Sequence, residues 1–177
     1  MEKILVHCCC GPCSTSSISR LLEDGYEPVL HYENSNIWPE AENSKRFKEL
    51  EKVAQYFGGL RIIKTQYDHN SWLSFIKGLE EEPEHGKRCT KCFEYNLNRA
   101  YLKARELGIE KFTTTLTVSR FKKSETIFQV GKVFEGFVPI DFKKKDGFGK
   151  SVRMAKEMEL YRQDYCGCEY SLRKGEK

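Results

Sequence analysis

Apolar residues along the chain form two patterns: short continuous runs, which are typical of buried strands, and residues at helical spacing, which are typical of amphipathic helices. A short apolar run at residues 4–6 precedes a segment in which Ile18, Leu21 and Leu22 recur at helical spacing before Asp24-Gly25. Continuous apolar runs of this length are typical of strands buried on both faces, whereas the spacing that follows is that of an amphipathic helix. The chain is therefore predicted to begin with a strand, a turn and a helix.

The same alternation continues along the rest of the chain. Further strands are predicted at residues 28–32, 60–65, 111–116 and 138–142. Further helices are predicted at residues 44–57, 72–78, 88–107, 127–137 and 154–158, with a surface loop at 143–150. Alternating strands and helices favour an open, mostly parallel α/β sheet flanked by helices, in which the ends of the first and fourth strands share one cleft. We expect a single domain over residues 1–177 with a small helical or loop extension at the C-terminus.

Composition and charge restrict the class of protein. Of the 177 residues, 39% are hydrophobic and 32% are charged, and no apolar run approaches the roughly 18 residues of a membrane span. A globular protein with no membrane partner is therefore expected. No secretory signal is visible, so the eight cysteines are expected in a reducing cytoplasm. The net charge of +4 is small, but basic clusters at residues 87–88, 120–123 and 143–145 are candidates for phosphate contacts.

Four cysteines fall within six residues at the predicted strand-to-helix turn, in the sequence His7-Cys-Cys-Cys-Gly-Pro-Cys13. A helix N-terminus stabilises thiolates, the form that binds metals and attacks disulfides. Cys13 opens the helix, so it is a candidate catalytic or second-metal residue. Cys89 and Cys92 lie in the first turn of a later helix, where the spacing places both sulfurs on one side. Two cysteine groups in a reducing compartment favour one shared metal centre.

Cys166 and Cys168 are separated only by Gly167. A disulfide between them would close a small ring, depart from relaxed geometry and be easily reduced. A pair of metal ligands or two unused thiols would give the same pattern. The usual nucleotide-binding loops are absent from the sequence, so neither ATP nor NAD is predicted.

Four motifs in this order resemble the epoxyqueuosine reductases of the QueH type. They are His7-Cys-Cys-Cys-Gly-Pro-Cys13, Arg88-Cys-Thr-Lys-Cys92, Phe112-Thr-Thr-Thr-Leu116 and Leu160-Tyr-Arg-Gln-Asp-Tyr-Cys-Gly-Cys168. The resemblance implies a Rossmann-like (HUP-like) fold and reductive removal of the epoxide oxygen from epoxyqueuosine in the anticodon loop of tRNA, without cobalamin. It also implies an electron donor, which the sequence does not identify.

By motif position, the resemblance implies a [4Fe-4S] cluster held by Cys9, Cys10, Cys89 and Cys92, with Cys166 and Cys168 as a redox-active disulfide. Cys8 departs from the family pattern and is left out of the site. The reaction needs two electrons, whereas one cubane cluster ordinarily delivers one at a time. A second redox group is therefore expected, either the Cys166 and Cys168 pair or an additional mononuclear iron beside Cys13.

Two other functions fit part of the pattern. A thioredoxin-like or glutaredoxin-like oxidoreductase would use Cys10 and Cys13 after the first strand, but it leaves the four later cysteines without a role. A zinc-stabilised RNA-binding module would need one site of four thiolates and the basic clusters.

Overall fold

The computed structural model describes residues 1–172 and contains a four-stranded parallel sheet covered by helices on both faces. The strands are β1 (Glu2–His7), β2 (Tyr26–Tyr32), β3 (Ile62–Lys64) and β4 (Lys111–Thr114), in the order β3-β2-β1-β4. The helices are α1 (Gly11–Glu23), α2 (Glu40–Tyr56), α3 (His69–Phe75), α4 (Lys87–Glu106), α5 (Ser124–Gly131) and α6 (Gly147–Glu157), with 3-10 turns at Thr115–Val118 and Glu169–Ser171. The predicted Rossmann-like α/β class is confirmed.

The central strand β1 contributes to two apolar layers, because successive side chains of a strand point to opposite faces. Ile4 and Val6 pack in the layer that contains α1, α2 and α6. Leu5 packs in the other layer, with Leu97 of α4 and Phe112 of β4. Full burial of such side chains contributes roughly 1.5–3 kcal/mol each. Coverage of both faces explains why this strand is apolar without alternation.

Strand register sets the level at which the functional loops begin. His7 at the end of β1 pairs with His31 of β2 on one side and with Thr114 of β4 on the other. The connection from β1 runs towards β2, whereas β4 lies on the opposite side of β1. A parallel sheet forms a crevice outside the carboxyl ends of its strands at such a reversal. Residues that follow β1, β2 and β4 therefore meet at one edge of the sheet.

Three strand predictions need correction. The fourth strand ends at Thr114, two residues early, because the Thr114 hydroxyl accepts a hydrogen bond from Leu116 N and starts a 3-10 turn. Residues 138–142 are not a strand. Val138 N donates to Phe112 O at 2.8 Å, but Ile140 N, the next donor on that side, bonds to Val138 O at 3.0 Å and does not continue the ladder. The third strand is also shorter than residues 60–65.

The last two helices differ in extent from their predictions. The helix predicted at 127–137 is α5, which begins earlier, at Ser124, and ends at Gly131, where the Phe137 ring packs against the glycine. A Cβ at Gly131 would lie 2.3 Å from the ring. The loop predicted at 143–150 contains the start of α6 at Gly147. Across residues 1–172, no helix is both long and apolar enough to span a bilayer.

Candidate active site

A cavity of about 480 Å³ is lined by residues that follow β1, β2 and β4, together with the start of α4 and the C-terminal segment. Six of the eight cysteines line it: Cys9, Cys13, Cys89, Cys92, Cys166 and Cys168. Three cysteine segments that are distant in sequence thus share one cavity of a size usual for small-molecule sites.

Cys9, Cys10 and Cys13 form a tight group at the start of α1. Their three sulfurs lie within 4.8 Å of one another, and the Cys9 and Cys10 sulfurs are 3.8 Å apart. Cys10 is the N-cap residue, and its sulfur accepts from Cys13 N at 3.5 Å. Gly11 permits this arrangement, because a Cβ there would lie 2.7 Å from Cβ of Glu49 on α2. This group could hold a metal ion.

Negative charge in this group is concentrated on Cys10. Hydrogen bonds from the Cys13 and Cys9 thiols hold the pKa of Cys10 well below its usual range. The same bonds raise the pKa of Cys9 and of Cys13. The stabilised thiolate that the sequence predicts at Cys13 stays a prediction. Cys13 N donates to the Cys10 sulfur at the N-cap position, which is the position best placed to receive backbone N–H groups.

Cys89 lies in the first turn of α4 and Cys92 in the second, and both line the cavity as their spacing predicts. The Cys89 sulfur accepts from His85 N at 3.2 Å, and the Cys92 sulfur accepts from the Asn96 side-chain amide at 3.7 Å. Burial raises the pKa of both thiols. Each sulfur thus has a donor that would favour its thiolate, although the cavity wall disfavours a bare charge.

Cys166 and Cys168 are both free thiols, the first exposed and the second buried. Gly167 between them has φ of 148°, in the range that favours glycine. Its carbonyl accepts from Trp38 N at 2.8 Å. Residues 160–172, which we call the C-terminal arm, are therefore fixed to the loop between β2 and α2.

The remaining residues singled out by the sequence are Cys8 and the basic clusters. Cys8 lies in the core and outside the cavity, and burial raises its pKa to about 12. Its omission from the predicted site agrees with this position.

Two residues of the basic clusters have internal partners. Lys143 Nζ donates to Thr117 O, Lys122 O and the Ser124 hydroxyl, while the buried Arg88 donates to carbonyls of the preceding turn. Lys143 and Arg88 are therefore not available to bind phosphate, so the prediction of phosphate contacts is wrong for these two residues.

Sequence reasoning missed several polar side chains of the cavity. Arg46 is 2% exposed and donates to the carbonyls of Tyr165 and Cys166. Three residues of the cavity lining each have a buried amide oxygen without a hydrogen-bond partner in the protein: Asn36, Asn96 and Gln163. Buried polar atoms of this kind are costly unless a ligand or water satisfies them. Isolated polar residues at helix and loop positions give no sequence signal of this role.

A Rossmann-like fold that gathers thiols at the carboxyl edge of its sheet defines a protein of the metal- or thiol-dependent class. Comparison with known families is more specific. Residues 4–174 match the family model of the epoxyqueuosine reductase QueH. Among relatives named epoxyqueuosine reductase QueH, the protein of Streptococcus pyogenes is 38% identical over 96% of this chain and 70% of its own length. The protein of Thermotoga maritima is 33% identical over 97% of this chain and 91% of its own length. The chain belongs to the QueH family of epoxyqueuosine reductases.

A solved structure supports the fold independently. A predicted subunit of a tRNA methyltransferase from Methanocaldococcus jannaschii superposes with a TM-score of 0.58, covering 89% of this chain and 75% of that one at 16% identity. At this identity, the likeness extends to the Rossmann-like architecture and not to the residues of the cavity.

Proposed function

We propose that this chain removes the epoxide oxygen from epoxyqueuosine in tRNA and leaves queuosine. The observation that carries the proposal is the convergence of six thiols in one cavity of a chain that belongs to the epoxyqueuosine reductase family. Reduction needs redox groups next to the substrate, and the cavity provides them.

The C-terminal thiol pair, Cys166 and Cys168, would supply the two electrons and two protons that the reaction needs. Both C–O bonds of the epoxide break, a C=C bond forms, and the oxygen leaves as water after taking up two protons and two electrons. Oxidation of the Cys166 and Cys168 thiols to a disulfide releases two protons and two electrons. Both thiols line the cavity, and Cys166 is exposed there. An external electron donor then reduces the disulfide for the next turnover.

The donor set fits an iron–sulfur cluster, for which cysteine thiolates are the usual ligands. Cys9, Cys10, Cys89 and Cys92 would hold the [4Fe-4S] cluster, and the N–H groups that face Cys89 and Cys92 would support them as thiolates. When bound, the cluster supplies one-electron transfer. Cys13 lies within 4.8 Å of Cys9 and Cys10 and outside this ligand set. It is available to an additional mononuclear iron, the alternative to the thiol pair as second redox group.

The cavity also suits a polar modified base carried by RNA. Its lining includes the basic residues Arg120, Lys122 and Arg162 against the acidic Glu84 and Asp164. Basic residues at the rim attract the phosphate backbone. Inside, the amide side chains of Asn36, Asn96 and Gln163 line the cavity and offer hydrogen-bonding groups to hydroxyl or amine groups of the substrate. We place the enzyme in the cytoplasm, where its thiols stay reduced.

The test combines colour and chemistry. Protein purified without oxygen should be brown and contain iron and sulfide. With a chemical reductant it should convert tRNA-bound epoxyqueuosine to a nucleoside that lacks one oxygen atom, measured by mass spectrometry of the digested tRNA. Colourless protein that reduces a disulfide substrate would support the thioredoxin-like alternative. Colourless, zinc-containing protein that binds RNA without reaction would support the zinc module.

A further inference from the structure

The rim of the cavity exposes an aromatic side chain that nothing in the fold requires. Phe121 is 64% exposed. Among the large apolar side chains exposed in residues 1–172, it is the one that also lines the cavity. An exposed phenyl ring contributes little to folding, and its place beside a polar, thiol-lined cavity makes its flat face available to a ligand.

The loop that carries Phe121 is held in place from inside the protein. Lys143 Nζ donates to Thr117 O at 2.9 Å, to Lys122 O at 3.0 Å and to the Ser124 hydroxyl at 2.6 Å. These acceptors flank Phe121 in the chain. Phe121 N also donates to the Ser119 hydroxyl at 3.3 Å. The ring is therefore presented by an anchored loop, which lowers the entropy cost of a contact with a partner.

Arg120 connects this ring to a second aromatic side chain. Its guanidinium lies 4.9 Å from the centroid of Phe121 and 5.3 Å from that of Phe148. All three side chains line the cavity, and Arg120 is exposed. We call these three residues the rim stack. It combines flat surfaces with a positive charge, the two features that proteins use to hold unpaired nucleotides.

We propose that the rim stack binds an unpaired base of the anticodon loop next to the modified nucleotide, with the base stacked on Phe121. The proposal rests on the proposed function, because it takes tRNA as the substrate. The modified base must reach the thiols of the cavity, some of which are buried. The exposed ring at the rim is therefore left for a neighbouring base. Arg120 would face the phosphate that joins the two nucleotides.

The test measures binding of two RNA probes at one fixed salt concentration: a synthetic anticodon stem-loop, and a blunt duplex of the same stem without the loop. Phe121→Ala should weaken stem-loop binding roughly 5- to 100-fold, the usual effect of removing one base–aromatic stack. Duplex binding should not change. Phe121→Trp should restore the loss, because tryptophan also stacks. Tyr56→Ala is the matched control, since Tyr56 is an aromatic residue 62% exposed and lies outside the cavity lining.

Turnover on full-length tRNA separates stacking from chemistry. Phe121→Ala should raise KM and leave kcat at saturating tRNA close to the wild-type value. Equal stem-loop affinity in Phe121→Ala and wild type would overturn the proposal, as would an equal loss in Phe121→Ala and Phe121→Trp. Failure of the wild-type enzyme to deoxygenate tRNA-bound epoxyqueuosine would instead reject the proposed function, whatever the variants bind.

Discussion

Arg46 donates a hydrogen bond of 2.9 Å to the backbone oxygen of Cys166, 120 residues further along the chain. A second N–H of the same guanidinium donates to Tyr165 O at 3.2 Å, and Nε pairs with Glu42 at 2.7 Å. Hydrogen bonds made by a buried charged group are stronger than those at the surface. Arg46 thus joins α2 to the C-terminal arm and fixes the position of Cys166.

Arg46→Met should therefore affect both stability and catalysis. It leaves the largely buried Glu42 without its cation, which costs about 3 kcal/mol in the free energy of unfolding. It also frees the arm, so multiple-turnover deoxygenation should fall. Arg46→Lys should recover part of the stability but little of the activity, because lysine cannot reach two carbonyls in fork geometry. Urea unfolding and a steady-state assay check both effects.

Arg153→Met is the matched control. Arg153 pairs with Asp146 at the surface, with side chains 63% and 66% exposed, so its loss should change stability by less than about 1 kcal/mol. Normal turnover in an Arg46→Met protein of lowered stability would show that Arg46 only braces the fold.

The sequence predicted the elements whose signals are local. The apolar run at residues 4–6 and the helical spacing after it predicted β1 and the turn that carries the first cysteines. The spacing of Cys89 and Cys92 predicted that both sulfurs lie on one side of a helix. Arg46 carries no such signal. It stands at a polar position of α2 next to Phe47 of the predicted apolar stripe. Its partners are 119 and 120 residues away, so only the tertiary structure identifies it.

The same limit explains one error at the site. Lys143 stands in a basic run that is typical of an exposed surface. Its ammonium instead satisfies three acceptors of a neighbouring loop, which no local pattern encodes.

Changing Cys89 or Cys92 to Ser should lower the iron and sulfide bound by protein purified without oxygen, because each is a predicted cluster ligand. Cys8→Ala provides the control, since Cys8 lies in the core and outside the cavity. It should keep its iron and lose roughly 1 kcal/mol of stability. Iron analysis and the visible absorption spectrum measure the outcome. Full iron content in both serine variants would reject the predicted ligand set.

Binding of tRNA should weaken with salt. Two exposed basic residues line the cavity, Arg120 and Arg162. Release of counterions from two phosphates predicts a slope of log K against log salt of about −1.5 to −2. Arg162→Gln should reduce its magnitude by about 1. Arg153→Gln, which lies outside the cavity lining, should leave the slope unchanged. An affinity independent of salt would count against phosphate contacts at the rim.

Stability should fall in mild acid because of His31. Burial, reinforced by the positive charges of Lys103 and Arg99, lowers the pKa of His31 from 6.5 to about 3. Below pH 6.5, the unfolded chain binds a proton at His31 and the folded chain does not, so acid favours unfolding. The loss continues down to the folded pKa and amounts to about 2.5 kcal/mol near pH 4.5.

Urea unfolding over this pH range tests the effect. His31→Gln should have a flatter dependence of unfolding free energy on pH, whereas His85→Gln, which removes an exposed histidine, should not. The slope that remains belongs in part to His7, whose pKa burial lowers to about 4. An identical slope in His31→Gln and wild type would contradict the prediction.

The Cys166 and Cys168 pair should exchange electrons during turnover and contribute little to stability. A disulfide across one residue closes so short a loop that it removes little entropy from the unfolded chain. The double change to Ser should therefore leave the melting temperature and the iron content close to wild type while it lowers multiple-turnover deoxygenation. A single-turnover assay of pre-reduced protein, run beside the steady-state assay, shows whether the pair acts in the chemical step or only in re-reduction. Wild-type rates in both assays would make the pair a bystander, and a large loss of thermal stability would assign it a structural role.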